Sequence, residues 1–177
     1  IGHSARVANL SLIIFNYVEA NFSKELKSMR YLKGDILEYA LKHDFGEVYL
    51  NDTPSIIKQQ FPALDVEIKQ AEEHLTRDEL EDLTNRLDKN EWFIIKSIVK
   101  LADWLDAAYE CVTEINLGNR NPVFAKFVNN VFVDVLNIGQ KYAGLNPNSE
   151  AIATVEKCKF CAIGIINTIK EEIIDEQ

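Results

Sequence analysis

The sequence predicts an all-α fold, one helical bundle of about six or seven helices, on three observations. Apolar residues recur every three or four positions in nearly every segment, the period of a helix face. The 177 residues include only 7 Gly and 4 Pro, too few breakers for a turn-rich β fold. That length suits one compact domain and leaves little room for two. Hydrophobic residues at 47% against 27% charged describe a chain that folds around a core, not a disordered one.

The first run places His3, Val7, Leu10, Ile14 and Tyr17 on one stripe at helical steps. A second, shorter helix is expected over about Gly34 to Asp44, with Leu37, Ala40 and Leu41 inward. From Phe45 to Pro62 the residues Gly46, Asn51, Pro54 and Pro62 predict a loop holding at most a short helix at Ser55 to Gln59. Two charge-rich helices should follow, over roughly Asp65 to Leu75 and Arg77 to Leu87, with Thr76 as a cap and Glu79 completing its box. The strongest periodicity is Trp92, Ile95, Val99, Ala102, Leu105, Tyr109 and Val112, a long helix that stops near Gly118-Asn119. Phe124, Phe127, Val131, Val135 and Leu136 mark another, ending around Gly144 to Pro147. The last runs from about Ser149 to Ile174, with Ile152, Val155, Ala162, Ile166 and Ile169 inward. No repeat, linker or low-complexity tract interrupts the chain, so residues 1–177 read as a single domain.

Acidic residues number 28 and basic ones 19, a formal net charge of −9. That balance argues against a nucleic-acid polymer as partner, because Lys and Arg must neutralise many phosphates there. Three cysteines are too few for a secreted disulfide framework and point to a reducing, cytoplasmic setting. Cys158-Lys159-Phe160-Cys161 lies in a helical stretch with only Cys111 left over, so it reads as core cysteines rather than half a zinc site. No apolar run approaches the roughly 20 residues that span a bilayer, so no membrane is expected as partner. His74 reads as a surface residue on a charged helix, and the acidic run from Glu171 to Glu176 as a solvated helix end. The chain opens on Ile1 and its only Met is Met29, the pattern expected of either a trimmed start or a cleaved segment.

Ionisable residues stand where apolar ones are expected. His3 lies on the first helix's apolar stripe, Asp44 on the second's with His43 before it, and Asp103 on the margin of the most apolar helix. Burying a lone carboxylate or imidazole costs several kcal/mol unless it is paired or binds a metal. One cation shared between the three helices would resolve all of them. Two imidazoles and two carboxylates form a mixed N/O set suited to Mn, Fe, Co, Ni or Zn. Adjacent helical residues project about 100° apart, so His43 and Asp44 can both lean toward an ion near the bisector. Each residue also has a plainer reading: a hydrogen-bonded core histidine, or Asp103 paired with Lys100 three residues earlier.

The combination of His3, the His43-Asp44 pair and a distant Asp103 resembles the HD-domain metal-dependent phosphohydrolases. The run from His43 to Lys58, with Glu47-Val48, Asp52-Thr53-Pro54 and Lys58 at fixed offsets, is similar to the YfbR-like 5′-deoxynucleotidases. Val99-Lys100-Leu101-Ala102-Asp103 resembles that group's second motif, and Glu114 with Gly118-Asn119 continues the likeness, which spans about His3 to Asn119. The resemblance implies an HD-domain bundle in which His3, His43, Asp44 and Asp103 bind one divalent transition metal. It implies that Glu47 orients or deprotonates the attacking water, that Lys58 and Lys100 hold the phosphate, and that Asp52 accepts a hydrogen bond from the sugar 3′-hydroxyl. The implied substrate is a deoxynucleoside 5′-monophosphate, with dNTP triphosphate removal or hydrolysis of another nucleotide phosphate as the runner-up and a non-catalytic nucleotide-binding or regulatory module as the alternative of another class. Self-association as a homodimer is compatible with it. Against these roles, Glu47 also reads as a loop carboxylate, Asp52 as a helix cap, and the two Lys as solvated charges. Gly2 departs from the group, which commonly has an acidic residue there, and the group's nucleotide-holding segment lies upstream of its first His, whereas this sequence starts two residues before His3. Ser4 and Arg6 lie near the site and receive no role.

Overall fold

The computed structural model describes residues 2–22, 31–50 and 61–174. Among them the chain forms six long helices and two short ones, and no strand. They are α1 (His3–Asn21), α2 (Leu32–Lys42), α3 (Phe45–Leu50), α4 (Pro62–Arg86), α5 (Lys89–Asn116), α6 (Pro122–Leu136), α7 (Ile138–Lys141) and α8 (Ser149–Ile174). A 3-10 turn at Ala143–Leu145 lies between the last two. The expected all-α bundle is the architecture observed.

α5 is the hub. Phe93, Ile94, Ile95, Ile98, Val99, Leu101 and Ala102 are all buried, so this stretch is apolar around most of its circumference. A helix of that kind must be enclosed by others, and α1, α2, α6 and α8 pack around it. Its start is set by a capping box: Asp88 accepts from the backbone N–H of Asn90 and Glu91 at 2.6 and 2.9 Å. Glu91 returns the contact by accepting from Asp88 N at 2.8 Å. Its end falls at the expected stop, where Gly118 adopts φ +91°, a left-handed conformation open to glycine. Asn121 then caps α6 by accepting from Val123 N at 3.0 Å, with Pro122 opening the helix.

Several sequence expectations are corrected. α2 runs two residues earlier than predicted at each end, and its buried face is Leu32, Ile36 and Ala40; Leu41 is exposed. The segment expected to be loop begins as helix α3, because His43 keeps right-handed helical angles and the chain continues in the same sense. The proposed helix at Ser55 to Gln59 lies outside the described residues. The two charge-rich helices are one: no Pro or Gly occurs between Asp65 and Leu87, so nothing breaks α4 at Thr76. α6 stops at Leu136, before the predicted Gly144, with α7 following directly. Tyr17, Tyr109, Phe127, Leu136 and Ile152 face outward although they keep helical spacing with core residues, since a stripe's edge carries the same period as its centre. Cys158 is buried and Cys161 half-buried, both free, as expected for core cysteines. His74 is exposed. Among the described residues no helix is long and apolar enough to cross a membrane.

One close approach sets the position of α3. A Cβ on Gly46 would lie 2.6 Å from the carbonyl oxygen and 2.7 Å from the Cα of Glu72, both backbone atoms of α4. Only glycine permits that crossing. The Gly46 N–H donates to Thr76 Oγ1 at 3.0 Å, so the residue expected to cap a helix instead ties two helices together. Gly46→Ala should therefore cost about 1–3 kcal/mol in chemical denaturation, the usual range for forced overpacking. Gly34→Ala, at a helical position with open space around it, should be neutral or slightly stabilising in the same assay.

Candidate metal centre

Three helices bring four side chains to one point. His3 opens α1, His43 and Asp44 form the turn between α2 and α3, and Asp103 lies midway along α5. Asp44 Oδ2 is 3.2 Å from His3 Nε2 and 3.0 Å from His43 Nε2. Asp103 Oδ1 is 3.2 Å from His3 Nε2 and 3.9 Å from His43 Nε2. Ligand atoms of His3, His43 and Asp44 all lie within 4.8 Å of one another, a set that could hold a metal ion.

The far sides of both imidazoles are also held. His43 Nδ1 is 2.7 Å from the Ala40 carbonyl oxygen. A carbonyl only accepts, so the proton belongs on Nδ1 and a neutral ring offers its Nε2 lone pair to the site. His43 Nε2 is buried and 3.0 Å from Asp44 Oδ2, yet outside hydrogen-bond geometry, so it is an unsatisfied buried atom. His3 Nδ1 is 2.7 Å from Asp106 Oδ2. Metal ligands at about 2.0–2.2 Å from a shared ion stand roughly 3–3.5 Å apart, which is the spacing of most pairs here. The donor set fits a borderline divalent ion.

The electrostatics favour positive charge at the meeting point. The carboxylates of Asp103 and Asp44 push the His3 imidazole up to about 11. For His43 burial acts in the opposite direction, but the same two carboxylates outweigh it and raise the ring to about 9. Burial would raise Asp44, yet His3 and His43 bring it down to about 2. Asp103 is held well below the usual carboxylate range: burial opposes this, and His3, His43 and Lys100 outweigh it. Protons on the imidazoles and a dication between them are alternative ways to meet the same charge demand.

The other expected residues divide into three groups. Lys100 is at the site, its ammonium donating to Asp103 Oδ2 and lying 5.7 Å from the Trp104 ring centroid. The one-turn ion pair allowed by spacing is thus formed, while Asp103 Oδ1 remains turned to the imidazoles. Glu47 has its backbone in α3, four residues after His43; its side chain lies outside what is described. Asp52 and Lys58 lie outside the described residues.

Three further residues stand at the site: Asp106 and Lys141, which the sequence did not reveal, and Arg6, which it placed nearby without a role. Asp106 is 3% exposed and contacts His3, and Arg6 contacts Asp106. Lys141 of α7 places its ammonium 5.5 Å from the Trp104 ring, on the side of the fold that carries Lys100. Burial and the Lys100 charge lower its pKa. One signal was legible: Asp106 repeats Asp103, and Arg6 repeats His3, at one-turn spacing. Lys141 had none, because its neighbours are distant in the chain.

Asp44→Asn and Asp103→Asn each remove one of the two carboxylates at the meeting point. Zinc affinity measured by titration calorimetry should fall by more than about tenfold in each, since losing even an outer partner of a metal ligand costs that much. His74→Ala, remote and exposed, should leave it unchanged.

Comparison with known proteins supplies the lineage. A family model described as 5′-deoxynucleotidase YfbR-like matches residues 1–142, so the likeness continues past Asn119 through α6 and α7. The 5′-deoxynucleotidases YfbR of Salmonella paratyphi B, Salmonella newport and Salmonella heidelberg are each 30% identical over 133 residues. Those alignments cover 70% of this chain and 64% of the relatives, so the chain spans just under two thirds of their length. No solved structure matches it. With the family model covering most of its length, the chain belongs to the YfbR-like 5′-deoxynucleotidase family.

Proposed function

We propose that this chain is a metal-dependent phosphohydrolase that removes the 5′-phosphate from deoxynucleoside 5′-monophosphates. The carrying observation is the convergence of two imidazole Nε2 atoms and two carboxylates from three helices, with both Nδ1 atoms tied away from the site. The family description and the relatives' printed names support a nucleotide substrate.

In this reading His3, His43, Asp44 and Asp103 hold one divalent ion. When bound, it supplies Lewis acidity toward a phosphoryl oxygen and lowers the pKa of a coordinated water. The chain's own residues do the rest. Glu47, one turn beyond His43, accepts the proton of the attacking water as the bond to phosphorus forms and the bond to the 5′ oxygen breaks, and a proton returned from Glu47 or solvent leaves that oxygen as the nucleoside hydroxyl. Lys100 exchanges its contact with Asp103 for a phosphate oxygen and offsets the charge gathered there. Lys58 holds a second oxygen. Asp52 accepts a hydrogen bond from the 3′-hydroxyl, which disfavours a 3′-phosphate because two anions would meet.

Chelation should abolish phosphate release from deoxynucleoside 5′-monophosphates, and re-addition of Mn²⁺ or Co²⁺ should restore it; turnover indifferent to chelation would exclude the mechanism. Glu47→Ala should bind metal as the parent does and lose about 10²–10⁴-fold in kcat, the usual contribution of a positioned base. Product analysis across mono-, di- and triphosphates identifies the substrate: inorganic phosphate from monophosphates supports this reading, and tripolyphosphate from dNTPs replaces it. Metal and nucleotide binding with no turnover in any arm would assign a non-catalytic module instead.

A further inference from the structure

We propose that Asp106, clamped by Arg6, is a positioning residue that fixes the tautomer and ring orientation of His3 as a metal ligand. The proposal rests on the metal-dependent reading of the site. α1 and α5 face each other along a seam of two one-turn pairs, His3 and Arg6 on one helix, Asp103 and Asp106 on the other. Asp103 meets the Nε2 edge of His3, and Asp106 meets the opposite edge. A carboxylate has no proton to give, so the 2.7 Å contact between Asp106 Oδ2 and His3 Nδ1 places a ring proton on Nδ1. A neutral ring then carries its lone pair on Nε2, the atom that faces Asp44 and Asp103. A partner on the outer nitrogen that also raises ligand basicity is a recurring requirement of metal-bound imidazoles.

Asp106 is itself fixed from the other side. Arg6 Nε donates to Oδ1 at 2.7 Å and Arg6 Nη2 to Oδ2 at 3.0 Å, a two-pronged grip on a carboxylate that is 3% exposed. Arg6 Nη2 also donates to Glu110 Oε1, so the guanidinium is anchored to two points on α5. A part-buried ion pair that only joined two helices would not need to share a carboxylate oxygen with the imidazole. Here one carboxylate oxygen serves both the guanidinium and the ring, which couples the orientation of His3 to the clamp.

The test uses the full chain and zinc, a diamagnetic probe. In the zinc-loaded parent, ¹⁵N shifts of the His3 ring should show a protonated Nδ1 and a ligated Nε2. Asp106→Leu should remain helical by circular dichroism and bind zinc about 10–100-fold more weakly. Asp106→Asn, which keeps an acceptor, should recover part of that loss. Arg6→Met supplies an independent route: it leaves the carboxylate in place, frees it to turn, and should weaken zinc binding less than Asp106→Leu. A parent whose His3 is ligated through Nδ1 overturns the proposal even if every variant fails to fold. So does a folded Asp106→Leu chain with parental zinc affinity, which would make the residue merely structural. A parent that binds no zinc overturns the underlying metal reading, a distinguishable failure.

Discussion

Two carboxylates one turn apart on the most buried helix govern much of this structure. Asp103 and Asp106 sit on α5 among residues that are almost all apolar, and an unpartnered carboxylate there would cost several kcal/mol. α1 answers with His3 and Arg6 at the same one-turn spacing. The same contacts that make the carboxylates tolerable fix where the first turn of α1 must lie. A site that attracts cations is thus also a helix–helix joint.

The second joint is steric. His43 and Asp44 leave α2 at its end, and their direction depends on where α3 begins. Gly46 allows α3 to cross α4 at a separation that no side chain permits, and Thr76 secures the crossing with a hydrogen bond. Among the described side chains of α4 only Leu80 and Leu83 are buried, so this contact helps position a polar helix that the hydrophobic effect alone would hold weakly. Between them, the seam on α5 and the crossing on α4 position the histidines and carboxylates that meet.

Net acidity is compatible with a phosphate ligand once charge is counted locally. Asp106 is matched by Arg6, and Asp103 is shared between Lys100 and the imidazoles. Lys100 and Lys141 flank the Trp104 ring at 5.7 and 5.5 Å, which puts two ammonium groups beside a site whose own carboxylates favour a cation. A charge of −9 spread over the surface argues against a polyanionic polymer, while this local arrangement suits one small anion.

Helix content was legible in the sequence because a 3.6-residue period is a local property, readable wherever apolar residues repeat. So was the stop at Gly118, whose signal lies within a few residues of the break, whereas the caps at Asp88 and Asn121 emerged only with the structure. The four candidate ligands were legible for a related reason: an ionisable residue on an apolar stripe needs a partner, whatever the fold. Which residues partner one another was decided by the tertiary structure. Asp106 drew no notice and Arg6 had no role until α1 and α5 were brought together, Thr76 looked like a cap until Gly46 reached its hydroxyl, and the buried edge of each stripe depended on which helix lay against it. Burial, hydrogen-bond geometry and the field at a site are sums over atoms distant in the chain, and no local period encodes them.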